Sequence, residues 1–351
     1  MLLDVKNLQT EFHGRSTVVR AVDDVSLDVD EGETLALVGE SGSGKSVTAL
    51  SIMGLIKGPA ARVVGGEVLY EGRDVLQMSA KDVRALRGTG IAMVFQDPMT
   101  SLNPALTVGR QLTESVRLHR GLDRRQARRR AVELLELVGI SEPESRLRSY
   151  PHQFSGGMRQ RVMIAIALAC DPKLIVADEI TTALDVTIQA QILDLLRRLT
   201  RELGTAVILI SHDLGIVAGM AERVNVMYGG QIVESASTRE LFASPKMPYT
   251  WGLLASIPRL DEPRSTKLVP IKGSPPDMSN PPPGCRYQPR CPFARPVCAE
   301  RAPQLVEVGD GPDAHLARCW GMSPEPDGGW LRGVDWRAAQ RLSAEEASTD
   351  A

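Results

Sequence analysis

The sequence has almost no excess charge, few cysteines and no long hydrophobic segment. Its 41 basic and 43 acidic residues give a formal net charge of −2, so bulk electrostatics does not favour nucleic acid as a partner. The strongest apolar run near the middle covers residues 162–170, far short of the roughly 20 residues that cross a bilayer. The N-terminus lacks the basic and apolar regions of a signal peptide, which predicts a cytoplasmic protein.

The five cysteines are unevenly placed. Cys285, Cys291, Cys298 and Cys319 all follow residue 284, and no C-x-x-C pair occurs. Such crowding indicates one local site rather than a disulfide framework spread over the chain. The missing short pair weakens the prediction of a zinc ribbon, and four thiolates can equally hold an iron–sulfur cluster. Spacing alone leaves zinc, a cluster and free thiols open. Cys170, at the end of an apolar segment, is predicted to pack in the core.

The most informative stretch is rich in glycine and matches the pattern G-x-x-x-x-G-K-[ST]. It reads Gly39-Glu40-Ser41-Gly42-Ser43-Gly44-Lys45-Ser46 and continues with Val47. An apolar segment at 33–38 precedes it and a helical pattern at 47–56 follows, which is the strand, loop and helix order of a phosphate loop. Backbone amides would bind phosphate oxygens, Lys45 would reach the β- and γ-phosphates, and Ser46 would coordinate Mg²⁺. The chain is therefore predicted to bind a nucleoside triphosphate.

The remaining pattern predicts an α/β protein with additions. Strand and helix patterns alternate up to residue 97 and again over 161–235, as in a parallel sheet, whereas 98–160 has helical patterns only. Residues 236–325 form a predicted lobe rich in proline that carries the four cysteines, and 326–351 a loosely held tail. The basic run at 124–130 is predicted to be a solvated helix face, because Glu133 and Glu136 follow on the same helix.

Three predicted strands end in polar residues suited to phosphate chemistry. Asp178 and Glu179 end one apolar strand, His212 follows a second, and Gln96 follows a third. Because the carboxyl ends of parallel strands meet at one sheet edge, we expect these side chains to converge on one phosphate. Asp178 can hold the Mg²⁺ shell, while Glu179 can polarise a water for in-line attack.

A second anion site is predicted where Ser155-Gly156-Gly157 begins the helical segment that runs on through Cys170. One ATP cannot easily occupy both sites within one subunit. We therefore expect a dimer in which this helix start closes on the nucleotide of the partner.

These motifs together resemble the nucleotide-binding subunits of ABC transporters, over about residues 1–325. The runs at 95–104, 154–161 and 248–250 and the cysteine-rich end are similar to the ATPases of bacterial dipeptide and oligopeptide importers, and nickel importers share much of this pattern. The resemblance rests on the phosphate loop, Gln96, Ser155-Gly156-Gly157, Asp178-Glu179, Ala183-Leu184-Asp185 and His212.

The resemblance implies an ABC-type P-loop NTPase core with a parallel sheet, an antiparallel β subdomain, a helical insertion and the cysteine-rich lobe. It implies that Gln96 senses the γ-phosphate, Glu179 is the general base and His212 is the switch residue. Ser155 and Gly157 would act on the nucleotide of the partner, and Asp185 would cross the dimer seam. An aromatic residue would stack on adenine: Phe12 is the candidate, and His13 is the reserve.

The implied partners are two membrane permeases, a second related ATPase in preference to a homodimer and, indirectly, an extracytoplasmic solute-binding protein, at the cytoplasmic face of the membrane. Nucleic acid is not expected. The branch also implies a [4Fe-4S] cluster on the four cysteines, with Zn²⁺ as the alternative. Alternative functions are nickel or other small-solute import, a soluble non-transport ATPase, and a regulatory subunit that barely hydrolyses ATP.

One position departs from the family pattern, which has proline where Ile180 follows Glu179. Proline fixes φ and has no N–H, so isoleucine is expected to loosen the turn that aims Glu179. This predicts slower or less tightly coupled hydrolysis.

Overall fold

The computed structural model describes residues 1–181, 184–257, 270–309 and 314–339, and all structural statements refer to these ranges. The strands are β1 (Leu3–His13), β2 (Val18–Val29), β3 (Thr34–Val38), β4 (Ala61–Tyr70), β5 (Arg73–Asp74), β6 (Ile91–Val94), β7 (Leu174–Asp178), β8 (Ala206–Ser211), β9 (Arg223–Tyr228), β10 (Gln231–Ser237), β11 (Val306–Glu307) and β12 (Leu316–Ala317). The α-helices are α1 (Lys45–Ile52), α2 (Ala80–Thr89), α3 (Pro98–Ser101), α4 (Val108–Arg120), α5 (Arg124–Leu137), α6 (Pro143–Arg146), α7 (Gly156–Ala167), α8 (Val186–Leu203), α9 (Leu214–Met220), α10 (Thr238–Ala243), α11 (Pro248–Ala255) and α12 (Pro296–Glu300). No described helix is both long and apolar enough to cross a membrane.

The chain divides into two compact units, and the first comprises Met1–Leu3, Val29–Thr34 and Tyr70–Ile210. Strands β6, β7 and β8 lie side by side and parallel in this unit. All five residues of β7 and all six of β8 are buried, which explains why both strands are continuous apolar runs. In this register Val94 pairs with Ala177 and Asp178 pairs with Ile210, so the three strands end at one edge.

The predicted helical insertion of the first unit is built on local signals. Asp123 caps α5, because its side chain accepts from the amides of Arg125 and Gln126. In turn, the Asp123 amide donates to the Gln126 side chain. The basic run lies on this helix, where Arg130 binds Asp171 at 2.7 Å and Glu133 at 3.4 Å. The helical periodicity over 108–119 and 124–138 thus predicted α4 and α5 to within a residue at each end.

The second unit comprises Asp4–Asp28, Leu35–Leu69 and Ser211–Ala351. One of its sheets has the order β2-β1-β4, and another the order β3-β9-β10-β12-β11. Strands β3 and β9 are parallel, whereas β10 is antiparallel to both β9 and β12. Glu234 on β10 is fully buried, and its carboxylate accepts from His315 at 2.7 Å and from the Met247 amide at 3.1 Å. This buried network ties the start of α11 and the approach to β12 onto β10.

The structure corrects three sequence-based expectations. The helix after the phosphate loop ends at Ile52 rather than 56, because Gly54 takes a left-handed φ of 61°. The helix after Ser155 ends at Ala167 and gives way to a 3₁₀ turn that ends at Cys170. Strand β10 crosses the boundary predicted at residue 235 and pairs with β12, which the sequence analysis did not predict.

The predicted loose tail is also held in its described part. Leu331 and Ala339 are buried in a cluster with Trp251 and Met322. The contact with Trp251 joins residues some eighty positions apart in sequence, so the local polar composition gave no sign of it. The other domain boundaries predicted from sequence stay predictions.

Candidate nucleotide site

Three glycines of the phosphate loop occupy positions that disfavour other residues. Gly39 has φ 150°, and a Cβ there would lie 2.2 Å from the Met227 carbonyl oxygen. Gly44 has φ 105°, and its Cβ would lie 2.5 Å from the Ala21 carbonyl oxygen. Gly42 has open space but a left-handed φ of 79°. Tight backbone packing and positive φ therefore explain the glycine pattern that the sequence motif requires.

The polar side chains of the loop are arranged around its backbone. Lys45, the first residue of α1, donates its Nζ to the carbonyls of Gly39 at 2.8 Å and Glu40 at 3.0 Å. Ser46 is exposed, and the buried Ser43 hydroxyl has no hydrogen-bond partner among the described residues. Amides at a helix start, a buried ammonium and an unsatisfied hydroxyl are groups that a phosphate ligand can bind. The loop thus has the chemistry of a phosphate site.

In the first unit, the ends of β6 and β7 bring two predicted catalytic residues into contact. Gln96 Nε2 donates to Glu179 Oε2 at 2.8 Å. Asp178, the last residue of β7, is 8% exposed, whereas Glu179 is half-buried. Glu179 has a left-handed φ of 47°, and its amide donates to the Ile210 carbonyl at 3.0 Å. A non-glycine residue in this conformation carries about 1–2 kcal/mol of strain, so the sheet edge holds this carboxylate in an unusual position.

Ile180, the departure from the family pattern, is 2% exposed. Its buried side chain therefore holds this position by packing, where the family has the rigid ring of proline. Whether this slows hydrolysis stays a prediction.

The predicted second anion site lies at the start of α7 in the first unit. Ser155 caps this helix by accepting from the Met158 amide at 3.3 Å. A Cβ on Gly157 would lie 2.6 Å from Ile188 Cγ2, so a glycine allows α7 to approach α8. Asp185 caps α8 by accepting from the Ile188 amide at 3.0 Å, and the next residue, Val186, is 82% exposed. Asp185 therefore stands beside an exposed apolar side chain, and its role across a dimer seam stays a prediction.

Three other predicted residues lie in the second unit. Phe12 is half-buried near the end of β1, and the neighbouring His13 accepts from Arg62 at 3.2 Å. His212 is exposed directly after β8. Roles of Phe12 in adenine stacking and of His212 at the γ-phosphate stay predictions.

The four late cysteines are all free thiols in the second unit. The Cys285 amide donates to the Cys298 carbonyl at 2.7 Å. Burial first, and then neighbouring cysteines, raise the pKa of Cys285 to about 11 and that of Cys291 to about 12. Burial, and then Cys285 and Cys291, also raise the pKa of Cys319. Cys285, Cys291 and Cys319 pack against the same buried cluster, so the cysteines lie in one region. Among the described residues, no group of three or more His, Cys, Asp or Glu side chains is arranged as a metal site.

Two residues that sequence analysis did not assign contact the phosphate loop. Arg290 binds the Glu40 carboxylate through both terminal nitrogens, at 2.6 and 3.0 Å, and Glu40 holds the pKa of this guanidinium above its usual range. Tyr249 accepts from the Glu40 amide at 2.8 Å. In the sequence, Tyr249 belongs to the run at 248–250, which indicates the peptide-importer branch but not this contact.

Comparisons with known proteins agree with this geometry. Residues 22–182 match the family model for ABC transporters, and residues 233–298 match that for the C-terminal region of oligopeptide and dipeptide transporters. A probable peptide ABC transporter ATP-binding protein of Sinorhizobium fredii is 53% identical over 91% of this chain and 95% of its own. An oligopeptide transport ATP-binding protein of Bacillus subtilis is 51% identical over 92% and 90%, respectively.

A solved structure extends the likeness to the fold. The ATP-binding cassette MJ0796, in a post-hydrolysis dimer with ADP and phosphate, has a TM-score of 0.61 and 30% sequence identity, covering 68% of this chain and 99% of that one. The expected α/β P-loop NTPase fold is thereby confirmed. The chain belongs to the family of ABC transporter ATP-binding proteins with an oligopeptide/dipeptide transporter C-terminal region.

Proposed function

We propose that this chain is the ATP-hydrolysing subunit that powers import of dipeptides or oligopeptides through an ABC transporter. The observation that carries hydrolysis is the contact of Gln96 with Glu179, at the strand edge where β7 ends in Asp178. The cargo class comes from relatives named for peptide, oligopeptide and dipeptide transport, which are about 50% identical over nine-tenths of the chain.

The residues of the phosphate loop bind ATP. Backbone amides from Gly39 to Val47 and the Lys45 ammonium neutralise phosphate charge. Mg²⁺, when bound, neutralises charge that develops on the transferred phosphate. Ser46, Gln96 and Asp178 offer the hydroxyl, amide and carboxylate oxygens that suit this ion.

Glu179 is the general base of the proposed reaction. Its carboxylate accepts a proton from the attacking water, while Gln96 holds that carboxylate by a 2.8 Å bond and orients it. His212 donates to the γ-phosphate, and Phe12 stacks on the adenine ring. These assignments give each strand-end residue one step in binding or proton transfer.

Hydrolysis requires a second ATPase subunit. Ser155, Gly156 and Gly157 at the start of α7 face the nucleotide of that partner, and Asp185 lies at the seam between subunits. The dipole at the start of α7 and the exposed Val186 beside Asp185 support this. A related but different ATPase is the proposed partner, together with two permeases at the cytoplasmic face of the membrane and, indirectly, a solute-binding protein.

The four cysteines hold a [4Fe-4S] cluster in this proposal, with Zn²⁺ as the alternative. Support comes from the donor chemistry, because Cys285, Cys291, Cys298 and Cys319 are free thiols gathered in one region. The cluster would stabilise a segment of short elements that is rich in proline. Iron, sulfide and absorbance near 400 nm in anaerobically purified protein test this, and zinc alone would establish the alternative.

Three alternatives remain testable for the whole protein. Nickel or another small solute is the alternative cargo. A weakly hydrolysing regulatory subunit is the alternative activity, and its basis is Ile180 in place of the family's proline. A soluble ATPase that acts without permeases is the third.

The deciding experiment is a pull-down of the tagged chain from detergent-solubilised membranes, followed by an ATPase assay. Two permeases, a second ATPase and turnover that depends on Glu179 support the proposal. Recovery of the chain alone, or with ribosomes, contradicts it. Uptake of labelled dipeptide and of ⁶³Ni²⁺ by cells with and without the gene then distinguishes the cargoes.

A further inference from the structure

The carboxylate of Glu40, inside the phosphate loop, is held by the C-terminal part of the second unit. Arg290 Nη1 donates to one oxygen at 2.6 Å and Nη2 to the other at 3.0 Å, so the contact has the two-pronged geometry of strong guanidinium–carboxylate pairs. The Arg290 side chain is 4% exposed, and that of Glu40 28%. The Glu40 amide is separately bound to the hydroxyl of the fully buried Tyr249. Glu40 is thus held by both its side chain and its backbone.

Arg290 is itself fixed by further contacts. Its Nε donates to the Lys272 carbonyl at 2.9 Å, and its terminal nitrogens reach the Ile271 carbonyl and the Tyr228 hydroxyl, both at 3.3 Å. A guanidinium with this many bonds has little freedom to rotate. These contacts fix Arg290 independently of Glu40, so Arg290 determines where the Glu40 carboxylate lies.

The same contacts lead to the cysteines. Arg290 directly precedes Cys291, and Tyr287 lies two residues after Cys285. The Tyr287 ring is 5.4 Å from that of Tyr249 and 5.2 Å from that of Tyr228, measured between centroids. Packed aromatic rings connect the segment 285–298, which carries three of the four late cysteines, to the residues that bind Glu40.

We propose that Arg290 and Tyr249 are positioning residues for the phosphate loop, and that through them nucleotide binding is coupled to ordering of the segment 285–298. The inference rests on the proposed function only in taking the loop as the ATP site. Without Arg290, a partly buried carboxylate would oppose the incoming triphosphate. The Glu40 carbonyl, which helps hold Lys45 Nζ, would also lose its support. Because coupling is reciprocal, nucleotide must also order the cysteine segment.

The test compares Arg290→Met with Arg318→Met in otherwise native protein. Arg318 is a matched control, because it is also buried, directly precedes a cysteine and pairs with a carboxylate, Asp24 at 3.0 Å, outside the phosphate loop. Titration of a fluorescent ATP analogue with Mg²⁺ is expected to give a Kd about tenfold higher for Arg290→Met, which corresponds to about 1.4 kcal/mol. Arg318→Met should stay within about twofold of wild type.

Hydrogen exchange supplies a readout that a general loss of stability would not mimic. The analogue should slow exchange over 285–298 in wild type and in Arg318→Met, but not in Arg290→Met. Arg290→Lys keeps the positive charge but cannot bind both carboxylate oxygens as the guanidinium does. Its affinity should therefore lie between those of wild type and Arg290→Met. In the assembled transporter, KM for ATP should rise while kcat falls less.

Equal weakening by the two methionine variants, or an unchanged Kd in Arg290→Met, overturns the proposal. If Arg290→Met does not fold, Tyr249→Phe decides the matter. It removes one hydroxyl and must raise Kd about threefold, and an unchanged value refutes the coupling. Failure of wild-type protein to bind the analogue, by contrast, would count against the proposed function itself.

Discussion

Replacing Glu179 by glutamine separates chemistry from folding. Glutamine has nearly the same shape, can keep the left-handed φ of 47° at similar strain, and offers an oxygen that still accepts from Gln96. The main structural change is a charge-assisted hydrogen bond that becomes neutral. Its strength falls by about 1 kcal/mol, which corresponds to about 2–4 °C in Tm for a domain of this size.

The catalytic change should be much larger than the structural one. An amide cannot accept a proton from water, so turnover loses the contribution of a general base, about 10²- to 10⁴-fold. This corresponds to about 3–5 kcal/mol in the barrier. ATP affinity should stay near the wild-type value, because Glu179 is not in the phosphate loop.

Phosphate release by the purified transporter, Kd for ATP and Tm should be measured together. Glu202→Gln, the same change at an exposed position of α8, serves as the control and should match wild type in all three. A loss of turnover under tenfold in Glu179→Gln would show that another group activates the water. An equal loss of affinity or a fall in Tm beyond 10 °C would instead assign Glu179 a structural role.

Three other changes test separate parts of the structure. Gly39→Ala would place a Cβ 2.2 Å from the Met227 carbonyl oxygen. ATP affinity should therefore fall at least a hundredfold, and the free energy of unfolding by about 1–3 kcal/mol. Near-normal affinity in an ATP titration would contradict this packing. Burial, then Glu71 and Glu31, raises the pKa of Tyr70 to about 12, so the native state keeps a proton that the unfolded state loses above pH 10. The free energy of unfolding should therefore fall by about 1–2 kcal/mol between pH 10 and 12, and Tyr70→Phe, followed by urea denaturation, should remove that part of the pH dependence. Ile180→Pro should raise turnover in the assembled transporter, and a rate equal to wild type would refute the role given to this position.

Local features of the fold were predictable because their causes are local. Residues 186–203 carry a helical apolar period between the capping Asp185 and Gly204, and α8 covers that range. The phosphate loop was predictable for the same reason, since the φ values that need glycine occur within eight consecutive residues. Gln96 and Glu179 were expected to meet because parallel strands share an edge, and the register of β6 and β7 brings them together.

Contacts that join distant segments were not predictable in this way. Nothing near Gln231 indicates that β10 will pair with β12, about eighty residues later, because proline-rich sequence between them predicts irregular backbone. The buried Glu234 likewise looks like a surface residue until His315 and the Met247 amide are placed beside it.

The sequence by itself determined the ATP-binding chemistry, the strand-end residues and the family, because each depends on residue types at short, fixed spacing. Only the tertiary structure decided that Glu40 is held by Arg290, 250 positions away, and by Tyr249, 209 positions away. Such contacts form when the burial and hydrogen bonds of the whole core offset the entropy of closing long loops, and no local pattern of residues records which distant partner results.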